Sequence, residues 1–223
     1  HQLHRRQRQM CIRDSYDGSE AFETVLTLLR LDEMNAAVSC FAPNIEQLHV
    51  INHLKGEQTL EQPRNVLEES ARLVRGEISD LASADAELFD AVIVPGGFGA
   101  AKNLCTYAVD GENMKINQAF ETFIRSAISL KIPIGLVCIA PVMSGLLFGK
   151  GVSCTIGHDE QTADIIRRTG AIHSDCNVDD ICVDETYRLV TTPAYMLAST
   201  LTDASKGITT VSYTHLTLPT MEL

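Results

Sequence analysis

Two short apolar runs, residues 90–94 (DAVIV) and Ile134–Val137 (IGLV), each stop abruptly at turn-forming residues and give way to sequence with a helical period. A brief run without polar alternation reads as a strand covered on both faces. Strands of this kind, separated by helices, imply βαβ units and a parallel sheet. Residues 19–29 predict a helix, with Ser19 as cap, Glu20 in the first turn, and Phe22, Val25, Leu26 and Leu29 as its apolar face. Further helices are expected at 65–74, 116–130 and 162–168, and strands at 37–41, 152–156 and around Ile172. Residues 181–184 and 188–191 flank a turn and read as a hairpin. A final helix is expected to begin in 195–204 and to be interrupted at residue 211.

The two ends are related in a way that composition hides. Residues 211–220 (VSYTHLTLPT) can be written as GTC TCT TAT ACA CAT CTG ACG CTG CCG ACG. The reverse complement, CGT CGG CAG CGT CAG ATG TGT ATA AGA GAC, translates as RRQRQMCIRD, which is residues 5–14. The ends therefore resemble one transposon adapter read in opposite directions, a scar to be set aside before fold reasoning. We expect residues 16–210 to form a single domain, and 1–15 and 211–223 to be non-native. Without those ends, 14 basic residues stand against 27 acidic ones, a formal charge of −13 in place of −11. That surplus argues against a protein that tracks phosphate backbones. No apolar run reaches the eighteen or so residues of a membrane-spanning helix. Cys40, Cys105, Cys138, Cys154, Cys176 and Cys182 have no paired spacing, which points to free thiols in a reducing compartment.

Ligands of an open α/β sheet sit beyond the carboxyl ends of its strands. That rule selects two loops, 95–103 after DAVIV and 138–141 after IGLV. Cys138 falls at a strand end, and Pro141 suits the first turn of a helix behind it. A side chain there has the placement of a nucleophile elbow, with the Ile139 N–H as an oxyanion donor. Helix-start N–H groups are expected to lower its thiol pKa. On residue type alone, burial as a small apolar group is the commoner fate of a cysteine. Gly96 and Gly97 allow close backbone approach, although they spell no dinucleotide or phosphate fingerprint. Glu23 shares a helix face with Ser19, Glu20 and Thr27; near a thiolate it would serve as an acid/base. His158, just past a strand end, is a candidate catalytic partner. His173, Cys176 and Cys182 fit no familiar zinc spacing, and no metal is expected.

The strings YDGSEAFETVLTLL, FAPN, INHLKGE, RNVLEESARLVRGEI, VPGGFGAAKNL, CIAP, TIG and VTTPAYMLA resemble the ElbB branch of the PfpI-like, class I glutamine amidotransferase-like superfamily, over about 16–208. The resemblance implies a flavodoxin-like three-layer α/β sandwich with a mostly parallel sheet, and a homodimer. It implies a nucleophile at Cys138, a supporting glutamate at Glu23, and the Gly96–Gly97 pair contributing one N–H to the oxyanion site beside Ile139. A strand expected just ahead of Tyr16 is missing from the pattern. Many relatives carry a histidine after the cysteine, where this chain has Ile139, which argues against peptidase or amidotransferase chemistry. The resemblance implies instead a cofactor-independent, glutathione-independent glyoxalase that converts glyoxal or methylglyoxal to a 2-hydroxy acid through a Cys138 hemithioacetal. Protein deglycase-like activity would follow from the same steps. The alternatives are a redox-sensing or regulatory protein using an oxidisable cysteine, and a purely structural partner. A cytoplasmic location is expected, or a mitochondrial one in a eukaryote, without nucleic acid or membrane as partner.

Overall fold

The structure, a computed structural model, describes residues 16–59 and 62–217. The position expected for a strand ahead of Tyr16 lies outside the described residues, as does the far end of the chain. The chain opens with helix α1 (Ala21–Glu33), strand β1 (Phe41–Ala42), and a small hairpin of β2 (Ile51–Asn52) and β3 (Glu57–Gln58). Helix α2 (Val66–Ala71), β4 (Ser79–Asp80) and β5 (Val92–Val94) come next. The middle contains α3 (Tyr107–Asp110), α4 (Gln118–Ser129), β6 (Ile134–Val137), α5 (Ser144–Phe148) and β7 (Ser153–Cys154). Last come α6 (Glu160–Arg168), β8 (Ile172–His173), β9 (Cys182–Asp184), β10 (Leu189–Thr192) and α7 (Leu201–Thr217).

The main sheet has the order β5-β6-β10-β9, with β9 alone antiparallel at its edge. Strands β6 and β10 are buried along their whole length, as expected for strands covered on both faces. Side chains of β6 divide between two cores, because successive residues of a strand point to opposite faces. Ile134 and Leu136 pack with Phe123, Ile124, Leu147 and Ile166 of the α4, α5 and α6 layer. Val137 packs with Ala204 and Ile208 of α7, and with Leu26 of α1. The result is the expected three-layer α/β sandwich with a mostly parallel sheet. Strands β1 and β4 form a separate parallel pair, and so do β7 and β8.

Three expectations need correction. Ser19 does not cap α1; Glu20 does, and the Ser19 hydroxyl lies 3.3 Å from that of Ser70. The faces of α1 are also exchanged: Glu23 and Thr27 are buried, whereas Val25 and Leu29 are 48% and 44% exposed. Hydrogen bonds to the Glu23 carboxyl fix the helix rotation and outweigh the apolar stripe. Finally, the last helix is not interrupted at residue 211. Ala204, Ile208 and Val211 continue one buried stripe at helical spacing, and the helix runs on to Thr217.

Candidate active site

Cys138 lies one residue beyond β6. Its N–H donates to Thr192 O at 2.9 Å, carrying the β6–β10 ladder one step further. Its φ is 62°, a left-handed conformation that costs a side-chain-bearing residue about 1–3 kcal/mol. The turn is locked from behind, since Pro141 sits in the first turn of a short 3-10 helix, Ala140–Met143. Strain of this kind presents the side chain at the sheet's carboxyl edge, the arrangement of a nucleophile elbow.

Two neighbouring loops close on the thiol. A Cβ built on Gly96 would lie 2.6 Å from Cys138 Cβ and 3.0 Å from Glu23 Oε2, so a side chain there would wedge thiol and carboxyl apart. Gly97 has φ 86°, and a Cβ on it would meet Glu20 N at 2.7 Å. The N–H groups of Gly97 and Ile139 are both directed at the Cys138 sulfur. They form a cradle for negative charge on sulfur or on a bound oxygen.

Glu23 is wholly buried. Gly96 N donates to its Oε2 at 2.8 Å and Tyr195 N to its Oε1 at 3.3 Å, and the carboxyl hydrogen-bonds the Cys138 thiol. Glu20, also buried, accepts the Glu23 N–H at the helix start, which brings a second carboxylate next to the first. Burial, and after it the charge of Glu20, push the Glu23 carboxyl up to about 8. Hydrogen bonds from Cys138, Gly96 and Tyr195 oppose this and lose. Burial, and after it the charge of Glu23, hold the Cys138 thiol well above its usual range despite the Gly97 and Ile139 N–H groups. The expected lowering of the thiol is therefore reversed: two N–H dipoles do not offset complete burial beside an acid. The two groups, joined by a hydrogen bond and each raising the other, titrate as a coupled pair.

The other candidates fall elsewhere. His158 is exposed on the loop before α6, and its side chain makes no hydrogen bond or ion pair among the described residues. The His173 ring accepts the Ile156 N–H at 3.3 Å and lies 3.5 Å from Asp175, a role in holding loops together. Among the described residues no group of three His, Cys, Asp or Glu side chains is placed to hold a metal ion. Cys105 and Cys154, pushed up to about 11 and about 12 chiefly by burial, donate to the carbonyls of Ala100 and Pro141 and pack in the main core. Residue type alone missed three contributors: Glu20 as cap and charge, Tyr195 N on Glu23, and Thr192 O on Cys138. For Glu20 the signal was present, because residues three apart share a helix face.

An elbow cysteine backed by a buried glutamate, on a three-layer sandwich, places the chain among the class I glutamine amidotransferase-like proteins, whose fold Drosophila melanogaster DJ-1beta shares. No protein-family model matches the chain. It is 44% identical over 202 residues to the ES1 protein homolog, mitochondrial, of Rattus norvegicus, covering 86% of this chain and 76% of that protein. Glutamine amidotransferase-like class 1 domain-containing protein 3, mitochondrial, of Homo sapiens is 43% identical over 202 residues, covering 86% and 75% of the two. The chain therefore belongs to the ES1 family of glutamine amidotransferase-like class 1 domain proteins. The crystal structure of an isoprenoid biosynthesis protein with amidotransferase-like domain from Ehrlichia chaffeensis superposes with a TM-score of 0.85 at 35% identity, over 92% of this chain and 94% of that one. Glyoxalase III from Candida albicans shares the fold, with a TM-score of 0.58 at 11% identity over 92% and 93%.

Proposed function

We propose that the protein is a glyoxalase that converts glyoxal or methylglyoxal to a 2-hydroxy acid without a cofactor. One observation carries the reading: a strained, buried thiol in direct hydrogen bond with a wholly buried carboxyl, which burial and the neighbouring Glu20 hold above the usual carboxylate range. The active form is the pair with one proton removed. As sulfur adds to the aldehyde carbon, the thiol proton passes to Glu23, and the new alkoxide is held by Gly97 and Ile139 N–H. Glu23 hands that proton on to the alkoxide, giving the neutral hemithioacetal and a free carboxylate. It then takes the C–H proton and returns it to the neighbouring carbon, while the hydroxyl proton of the first carbon passes to the oxygen of the second. The first carbon is oxidised to a thioester and the second is reduced to a carbinol, so no external oxidant is needed. Water cleaves the thioester, releasing the 2-hydroxy acid and regenerating the thiol. In heavy water this route yields glycolate with one carbon-bound deuterium, read by proton NMR. Undeuterated glycolate would count against a proton that exchanges with solvent on Glu23, and absence of turnover would sink the assignment.

A second reading is favoured by the protonated Glu23, which is placed to donate a hydrogen bond to an oxygen on sulfur. Peroxide would then convert Cys138 to sulfenic and sulfinic acid as a redox signal. Selective oxidation of Cys138 under mild peroxide, seen by mass spectrometry in a protein without aldehyde turnover, would decide for the sensor. The apolar Val25 and Leu29, exposed on α1, support a homodimer, which light scattering tests. A mitochondrial site of action is in keeping with the names of the mammalian relatives, and fractionation of the source cells checks it. No helix among the described residues is long and apolar enough to cross a membrane.

A further inference from the structure

Among the described residues Cys40, Cys176 and Cys182 are partly exposed thiols, while Cys105, Cys138 and Cys154 are buried. Cys176 and Cys182 stand at the two ends of the segment that joins β8 to β9, and that segment folds back on itself. Asp180 N donates to Asn177 O at 3.1 Å, the closing bond of a four-residue turn, and the Asn177 side chain donates to Asp180 Oδ2 at 2.9 Å. A turn over 177–180 sets Cys176 beside Ile181, one residue from Cys182. Both ends are then fastened to one hydroxyl network. Cys182 lies opposite Thr191 in the β9–β10 ladder. Its thiol hydrogen-bonds the Thr191 and Ser174 hydroxyls, and the Cys176 thiol that of Thr155. Thr155 N in turn donates to Thr191 Oγ1 at 2.9 Å. The two thiols are close enough that charge on Cys176 raises Cys182.

We propose that Cys176 and Cys182 are a redox-active dithiol that closes to an intramolecular disulfide by exchange with a small disulfide such as oxidised glutathione. The thiolate of one cysteine attacks the small disulfide and expels a thiol. The second cysteine then displaces the other thiol from the mixed disulfide. Two protein S–H bonds and one small-molecule S–S bond are lost; one protein S–S bond and two small-molecule S–H bonds form, so the electrons balance without a further reactant. Burial holds both thiols above their usual range. The reduced pair therefore gains no stability from a thiolate, which favours the closed form. Cys154, also near Cys182, is a poorer partner, being wholly buried and donating to Pro141 O at 3.8 Å. Position gives the dithiol its reach. Thr192 Oγ1 donates to Asp180 O in the turn at 3.0 Å, and Thr192 O accepts the Cys138 N–H at 2.9 Å. The turn that the disulfide closes is thus fastened to the residue behind the elbow.

The test equilibrates the full chain with mixtures of reduced and oxidised glutathione, alkylates the remaining thiols and reads tryptic peptides by mass spectrometry. Cleavage after Arg168 and Arg188 places Cys176 and Cys182 in one peptide that holds no other cysteine. That peptide is expected to lose two hydrogens and to escape alkylation, and dithiothreitol should restore both thiols. Half closure should come at a mixture about tenfold more reducing than the one that half-converts Cys40 to its glutathione adduct. Two alkylated cysteines, two separate glutathione adducts, a cross-link from Cys154 to Cys182, or closure no earlier than adduct formation at Cys40 overturns the dithiol. No aldehyde is present, so the outcome is independent of the glyoxalase reading.

Discussion

The two sides of the sheet are built to different standards. Around β6 and β10 the strands are four residues long, buried throughout and paired in register. Around β1 the strand has two residues, pairs only with the short β4 among the described residues, and faces a cavity. The reactive site takes parts from both. Cys138 and its ladder bond to Thr192 come from the dense side, whereas Glu23 and Gly96 come from elements that border the cavity. A nucleophile needs a fixed strained turn, and only a closely packed layer can hold one. Its acid partner is instead positioned by backbone N–H groups of loops, so it depends on how well the looser side is ordered.

Substitutions can break or sharpen that contrast. The largest effect is expected from Cys138→Ala, which should lower glyoxal turnover by about a thousandfold or more, measured by NMR, with little change in Tm. Gly96→Ala comes next. Its methyl group separates thiol from carboxyl across the boundary of the two sides, and turnover should fall about a hundredfold. In the dense layer, Leu136→Ala should cost about 3 kcal/mol in urea unfolding, and Leu28→Ala on the cavity wall about 1 kcal/mol. Equal costs would remove the contrast.

The smallest effect concerns charge. Glu20→Gln keeps a cap acceptor but removes the charge that helps hold Glu23 above its usual range. The rise of kcat/KM with pH should move to lower pH, where a merely structural role would leave the midpoint unchanged. Linkage runs the other way for stability. The folded Glu23 carboxyl, at about 8, lies above its unfolded value, so its contribution is complete below about pH 4.5 and is lost as pH rises toward 8.

Much of this was legible in the residues. DAVIV and IGLV announced parallel strands, the second buried throughout and the first only in part, and the helix expected from residue 65 begins one residue later, with Asn65 as its cap. The break from IGLV into Cys138 marked the elbow. The orientation of α1 was not legible, because an apolar stripe of Val25 and Leu29 ordinarily faces inward. Here two N–H bonds to one carboxylate set the rotation, and those donors lie 73 and 172 residues away in sequence. The thiol's direction of shift was hidden for the same reason: the elbow is a local feature, and burial beside Glu23 is a tertiary one.

The central claim is that Cys138 and Glu23 act as one proton-sharing pair. The pH dependence of kcat/KM for glyoxal, measured from about pH 5.5 to about 9.5 on the full chain, tests it most directly. The account predicts a rise with a midpoint near pH 8 that belongs to the free enzyme. A profile that stays flat through that range, or turnover that persists in Cys138→Ala, would contradict it.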